Sequence, residues 1–153
     1  MTYYFEFESE FVTDLRCIPM LVRYKLDTCG VKLKLSHWNQ FSQQERQALV
    51  EKPCAQPEEI QAYHDELQKL VIQHTNSPAS ELAVEPHPAW MDAANIPDSV
   101  QEKAQEVGVK LTVEQWALLT PVQRFALLKL SRPSHENKNF LPALQEFNLI
   151  LLK

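Results

Sequence analysis

Residues 18–50 and residues 96–128 align on each other without a gap, and this likeness constrains the chain more than any other feature. The first reads IPMLVRYKLDTCGVKLKLSHWNQFSQQERQALV and the second IPDSVQEKAQEVGVKLTVEQWALLTPVQRFALL. Twelve of the 33 positions are identical, among them Pro19/Pro97, Lys25/Lys103, Gly30/Gly108, Trp38/Trp116 and Arg46/Arg124. Average residue usage would give about two. The matches take in both glycines of the chain and two of its three tryptophans. A segment that occurs twice must bury the same apolar stripe twice, so we expect an internally duplicated fold with two pseudo-equivalent halves.

The halves read as helical. Two glycines against ten prolines leave too few left-handed positions for the turns of a many-stranded fold. In each copy a first helix begins near Pro19 or Pro97, where proline's missing N–H would be unpaired anyway. Asp98 with Gln101 offers a capping box as another start. Gly30 and Gly108 then fall where a helix end wants a left-handed residue. GVKL is a short extended joint, and Ser36 or Thr112 is placed to cap a brief tryptophan-bearing helix. Ser42-x-x-Glu45 and Thr120-x-x-Gln123 fit capping boxes for a third helix, with Pro121 at its first position.

A fourth amphipathic stretch follows each copy. From Pro57 to His74, Ile60, Tyr63, Leu67, Leu70 and Val71 share one face, and from Asn139 to about Asn148 so do Phe140, Ala143, Leu144 and Phe147. The expected organisation is one compact domain over 1–153. Copy one spans 18–74, a proline-bearing linker 75–95, and copy two 96–153. Leu82, Val84 and Trp90 would anchor the linker. At the N-terminus Tyr3, Phe5 and Phe7 alternate with Tyr4, Glu6 and Glu8, a strand period. Val31, Leu33 and Leu35 alternate with lysines, which allows a short β-ribbon pairing the two segments.

Charge and composition exclude several functions. Fifteen basic and twenty acidic residues give a net charge of −5 with no basic tract, so neither nucleic acid nor an anionic membrane surface is an expected partner. The longest apolar runs, such as Leu149–Leu152, have four residues, far too few to span a bilayer. The first ten residues hold three glutamates and no lysine or arginine, unlike a secretory signal. Three cysteines without CxxC fit free thiols in a cytoplasmic protein. Two glycines exclude glycine-rich phosphate loops.

The candidate chemistry is sparse. Cys17, Cys29 and Cys54 could serve a metal- or thiol-based redox function, but their spacing matches no zinc or iron–sulfur motif. Cys29 also stands where copy two has Val107, which reads as a small apolar packing residue. His37, His64, His74, His87 and His135 form no HxxxH or HExxH. Arg46 and Arg124 are matched between copies, so each is expected to make the same structural ion pair or cap. Polar residues peculiar to one copy are freer for function. These are Arg16, Arg23, Asp27 and Thr28 in copy one, and Arg132, His135, Glu136, Asn137 and Lys138 in copy two. Dense polar loops of this kind suit recognition of a protein partner. No catalytic, cofactor-binding or metal-binding residue is marked out.

The stretch LRCIPMLVRYKLDTCGVKLKLSHWNQFSQQERQALVEKPC, residues 15–54, resembles the nitrate-reductase-associated proteins of cyanobacteria. So do PEEIQAYHDEL, PAWMDAANIPDSVQEKA, LTVEQWALLTPVQRFALLKLSRPSHENKNFLPAL and the start FEFESEF. The likeness runs from about Phe5 to Phe147. It implies a small cytoplasmic, non-catalytic protein needed for the activity or maturation of assimilatory nitrate reductase. That partner would be a ferredoxin-dependent enzyme with a molybdopterin and an iron–sulfur cluster, and the accessory protein itself would hold no cofactor.

Overall fold

The computed structural model describes residues 4–12, 15–132 and 137–150. The protein is mainly helical, with a single two-stranded sheet among the described residues. Its chain divides into two compact units, residues 1–84 and 85–153.

Unit 1 opens with a 3-10 turn, Glu6–Glu8, and a short helix α1, Ser9–Val12. Helices α2 (Met20–Cys29), α3 (Leu35–Gln40), α4 (Gln43–Glu51) and α5 (Pro57–Thr75) follow. Strand β1 (Val31–Lys32) lies between α2 and α3, and β2 (Ser80–Glu81) follows α5. In unit 2 a 3-10 turn, Ala89–Met91, precedes α6 (Asp98–Glu106), α7 (Val113–Leu118), α8 (Pro121–Ser131) and α9 (Phe140–Glu146). Helices α6, α7 and α8 begin 78 residues after α2, α3 and α4.

Several ends form for the reasons written in the residues. Gly30 and Gly108 take left-handed backbone, with φ of 82° and 78°. The Gly30 N–H donates to the Leu26 carbonyl at 2.9 Å and closes α2. Ser42 accepts the Glu45 N–H at 3.0 Å while its own N–H donates to the Glu45 carboxylate at 2.8 Å. Thr120 and Gln123 repeat this box at 3.2 and 2.9 Å, and Pro121 is the first residue of α8. Thr112 caps α7 by accepting the Gln115 N–H at 3.1 Å.

Other ends differ. Ser36 lies inside α3, which starts one residue earlier; the Lys34 N–H instead donates to His37 Nδ1 at 3.1 Å. Burial and the nearby Lys34 charge lower the His37 pKa, which favours the neutral ring that this bond requires. Asp98 is the first helical residue rather than a cap. Gln101 reaches across to the Leu111 backbone, donating to its carbonyl at 3.0 Å and accepting its N–H at 3.1 Å.

The N-terminal ribbon does not form among the described residues. Residues 6–8 instead coil into the 3-10 turn, with Glu8 buried. Its carboxylate accepts the N–H groups of Phe5 at 3.0 Å and Met20 at 2.9 Å. Met20 opens α2, whose cap Pro19 supplies no side-chain bond, so a glutamate twelve residues upstream fills that role. Strand β1 pairs with β2 from the linker, with Val31 opposite Glu81 and Lys32 opposite Ser80.

The core of unit 1 gathers Val22, Leu26, Val31, Trp38, Leu49, Tyr63, Leu67 and Val71. In unit 2, α8 packs on α6, α9 and the Ala89–Met91 turn. It buries Phe125, Ala126, Leu127, Leu128 and Leu130, so it is apolar nearly all round. Trp90 anchors that turn, its ring meeting Phe125 edge-on at 5.1 Å. Leu82 and Val84 are exposed rather than buried anchors.

Candidate functional site

In unit 1, Arg23 and Asp27 stand one turn apart on α2, both half-buried, with exposed Arg16 just upstream. The Arg23 Nε donates to the Ile18 carbonyl at 3.2 Å, which folds its guanidinium back over the start of α2. In unit 2, Arg132 is exposed at the end of α8, and its N–H reaches the Lys129 carbonyl at 3.4 Å. Lys138 is exposed in a 3-10 turn, Asn137–Asn139, that leads into α9. His135 and Glu136 lie outside the described residues, as does the side chain of Asn137. The candidate partner-binding residues thus form one group on unit 1 and another on unit 2.

A buried polar centre lies behind α2. Lys25 is 7% exposed and donates from Nζ to the carbonyls of Val50 and Lys52, each at 2.6 Å, where α4 ends. Tyr63 donates its hydroxyl to the Leu49 carbonyl at 2.8 Å, and the Lys25 ammonium sits 5.7 Å from the centre of the Tyr63 ring. A lysine from α2 and a tyrosine from α5 therefore close the carbonyl end of α4. Burial lowers the Lys25 pKa, and the Cys54 thiol partly opposes that. In the sequence, position 25 falls on the same helical face as Val22 and Cys29, which signals burial but not the carbonyls that Lys25 meets.

The thiols of this centre are not activated. Burial first, and then the neighbouring Cys54, push Cys29 up to about 12. Burial pushes Cys54 up to about 11 against the attraction of Lys25. Both stay protonated at neutral pH, whereas a thiolate is the nucleophile and the metal ligand. Cys17 is half-buried. Among the described residues no group of three or more His, Cys, Asp or Glu side chains is placed to hold a metal ion.

The matched arginines act as caps. Arg46 donates to the carbonyls of Trp38 at 3.1 Å, Asn39 at 3.0 Å and Leu15 at 3.2 Å. Arg124 donates to Leu119 at 2.8 Å and Trp90 at 3.0 Å. The indole N–H groups extend the pattern. Trp38 reaches the Leu15 carbonyl and Trp116 that of Asp92, both at 2.7 Å.

Two histidines of α5 bond carboxylates. His64 Nε2 lies 2.7 Å from Glu81 and Nδ1 3.2 Å from Asp65, so both ring nitrogens face carboxylates and neither is left for a nucleophile. His74 Nε2 lies 2.8 Å from the Glu45 carboxylate. Burial would raise the Glu45 pKa, but the Ser42 N–H and His74 outweigh it and hold the carboxyl below its usual range. Glu45 also lines a groove of about 280 Å³ with Ala48, Leu49, Lys52, Glu66 and Leu70 among others.

A family model describing the conserved nitrate reductase-associated protein matches residues 4–147. The chain belongs to that family. The match spans both units and both groups of candidate residues. No curated protein matches the chain, and no solved structure does. None of the described helices is long and apolar enough to cross a membrane.

Proposed function

We propose that the protein is a non-catalytic accessory factor of assimilatory nitrate reductase, acting in the cytoplasm by protein–protein binding. Family membership over residues 4–147 carries this reading. The buried, protonated Cys29 and Cys54 thiols lend support, because they disfavour the alternative in which this chain performs redox chemistry itself. In our reading Arg16, Arg23 and Asp27 on unit 1 and Arg132, His135, Asn137 and Lys138 on unit 2 contribute to the contact. To drive maturation the factor must bind one state of the reductase, such as a cofactor-free form, more tightly than another.

The test is affinity capture of the tagged protein from a nitrate-grown cyanobacterial host, with mass spectrometry of what is retained. Enrichment of nitrate reductase over a control bait is the expected result. Paired charge reversals, Arg23→Glu with Arg132→Glu, should reduce that enrichment without unfolding the chain. Absence of the reductase at good bait recovery would overturn the proposal.

A further inference from the structure

Residues 79–84 form a strap across the end of α2, fastened on two sides. On one side the main chain pairs: β2 lies antiparallel to β1, and the Leu82 N–H donates to the Gly30 carbonyl at 2.7 Å. On the other side α5 holds the strap through side chains. Gln68 accepts the Ala79 N–H at 2.9 Å and donates to the Ala79 carbonyl at 3.0 Å, so one amide side chain engages both polar groups of a residue. Gln68 also donates to Glu81 at 2.6 Å, and His64 meets the other Glu81 oxygen at 2.7 Å.

Two features make this fastening asymmetric in pH. The Gln68 bonds carry no titrating proton on the glutamine. The His64 contact is an ion pair when the ring carries both protons. We infer that residues 79–84 form a pH-sensitive clasp, in which protonated His64 holds Glu81 against α5 and loss of that proton loosens the strap.

The charged groups acting on His64 are Glu81 of β2 and Asp65 of α5. From α2, Cys29 feels the Glu81 charge and stays protonated. From α3, His37 is engaged with the Lys34 N–H. Lys32 of β1 sits opposite Ser80, so its side chain lies on the other face of the ribbon from that of Glu81. The Glu45 carboxylate faces His74, ten residues further along α5.

The direction follows. The Glu81 bond raises the His64 pKa above 6.5; burial opposes it, and Asp65 adds to the rise. A histidine whose folded-state pKa is raised contributes its full stabilisation below the unfolded value. It loses that contribution as pH rises through the folded value. The clasp is therefore tightest in mild acid and loosens on the alkaline side of His64 titration. His64 is 23% exposed and Glu81 63%, so the effect is that of a partly solvated pair.

Hydrogen exchange of the full chain, corrected for intrinsic rates, tests this at about pH 6 and about pH 8. Protection of the Ser80–Val84 amides, with Leu82 as reporter, should fall about threefold at the higher pH. Amides of α7 should not change. His64→Gln and Glu81→Gln should each flatten the response of the strap while leaving the helical circular dichroism signal intact. Ring titration by NMR should place His64 above 6.5 in the wild type and nearer that value in Glu81→Gln. A strap whose protection shows no pH dependence, or the same dependence in His64→Gln, would overturn the proposal.

Discussion

In unit 1 the indole of Trp38 and the guanidinium of Arg46 converge on one carbonyl, that of Leu15; in unit 2 Trp116 and Arg124 reach two, those of Asp92 and Trp90. Leu15 presents its carbonyl from left-handed backbone, φ 58°, which non-glycine residues seldom adopt. Asp92 presents its own from extended backbone after a 3-10 turn. The matched side chains are the same, and the upstream loops that meet them are unrelated. Lys25 and Lys103 diverge further. Lys25 closes the end of α4, whereas Lys103 pairs with Glu106 at 3.1 Å on its own helix. The two glycines share a φ but not a neighbourhood. A Cβ on Gly30 would lie 2.8 Å from both the Leu82 carbonyl oxygen and Val84, whereas one on Gly108 would meet nothing within 4 Å. Identity at matched positions thus reports a shared backbone shape more faithfully than a shared contact.

Urea unfolding of the full chain can break or sharpen this comparison. The largest loss is expected for the tryptophans, each nearly fully buried and bonded at the indole. Trp38→Ala and Trp116→Ala should each cost about 3–5 kcal/mol. A large difference between them would show that the two clamps are not equivalent. Gly30→Ala comes next. Left-handed backbone costs an alanine about 1–2 kcal/mol, and the contact with the strap adds about 1–3 kcal/mol more. Gly108→Ala should show the backbone part alone, so equal losses would contradict the strap geometry.

The lysines should separate more simply. Lys25→Met leaves the buried Val50 carbonyl and the part-buried Lys52 carbonyl without their donor and should cost about 1–3 kcal/mol. Lys103→Met should stay within about 0.5 kcal/mol. A small effect is also expected for Cys29→Val, which installs the residue of the matched position 107. A volume-conserving swap costs under about 1.5 kcal/mol, and capture of nitrate reductase should be unchanged. A folded Cys29→Val protein that no longer captured the enzyme would return the thiol to consideration.

Much of the helical plan was legible in residues that carry their own backbone chemistry. Ser42, Thr112, Thr120, Gly30 and Pro121 do what their residue types predict, since caps and left-handed turns are local events. The N-terminal segment departs from its alternating pattern because alternation records which residues are apolar and says nothing about where N–H groups find acceptors. Tyr3 to Glu8 alternates, but the start of α2 needs an acceptor that Pro19 lacks, and burying Glu8 supplies it. The true partner of β1 is polar, two residues long and some fifty residues away, and no period marks it. The same limit applies to Lys25 and to the His64 clasp, whose meaning depends on groups brought together by tertiary structure. The candidate partner-binding residues are polar positions peculiar to one copy. The structure puts Arg16, Arg132 and Lys138 at the surface, with Arg23 and Asp27 half-buried on α2.

The Trp–Arg clamp also bears on the order of folding. Helices α3 and α7 have six residues each, far below the length at which a helix persists alone in water. Their carbonyl ends are closed by an arginine on the next helix, and their tryptophans are tethered to a carbonyl 23 or 24 residues upstream. Closing such loops precedes any gain from the helix itself. Neither segment can act as a seed; each is a product of collapse. Substitutions at their exposed positions should therefore speed unfolding and leave the refolding rate almost untouched.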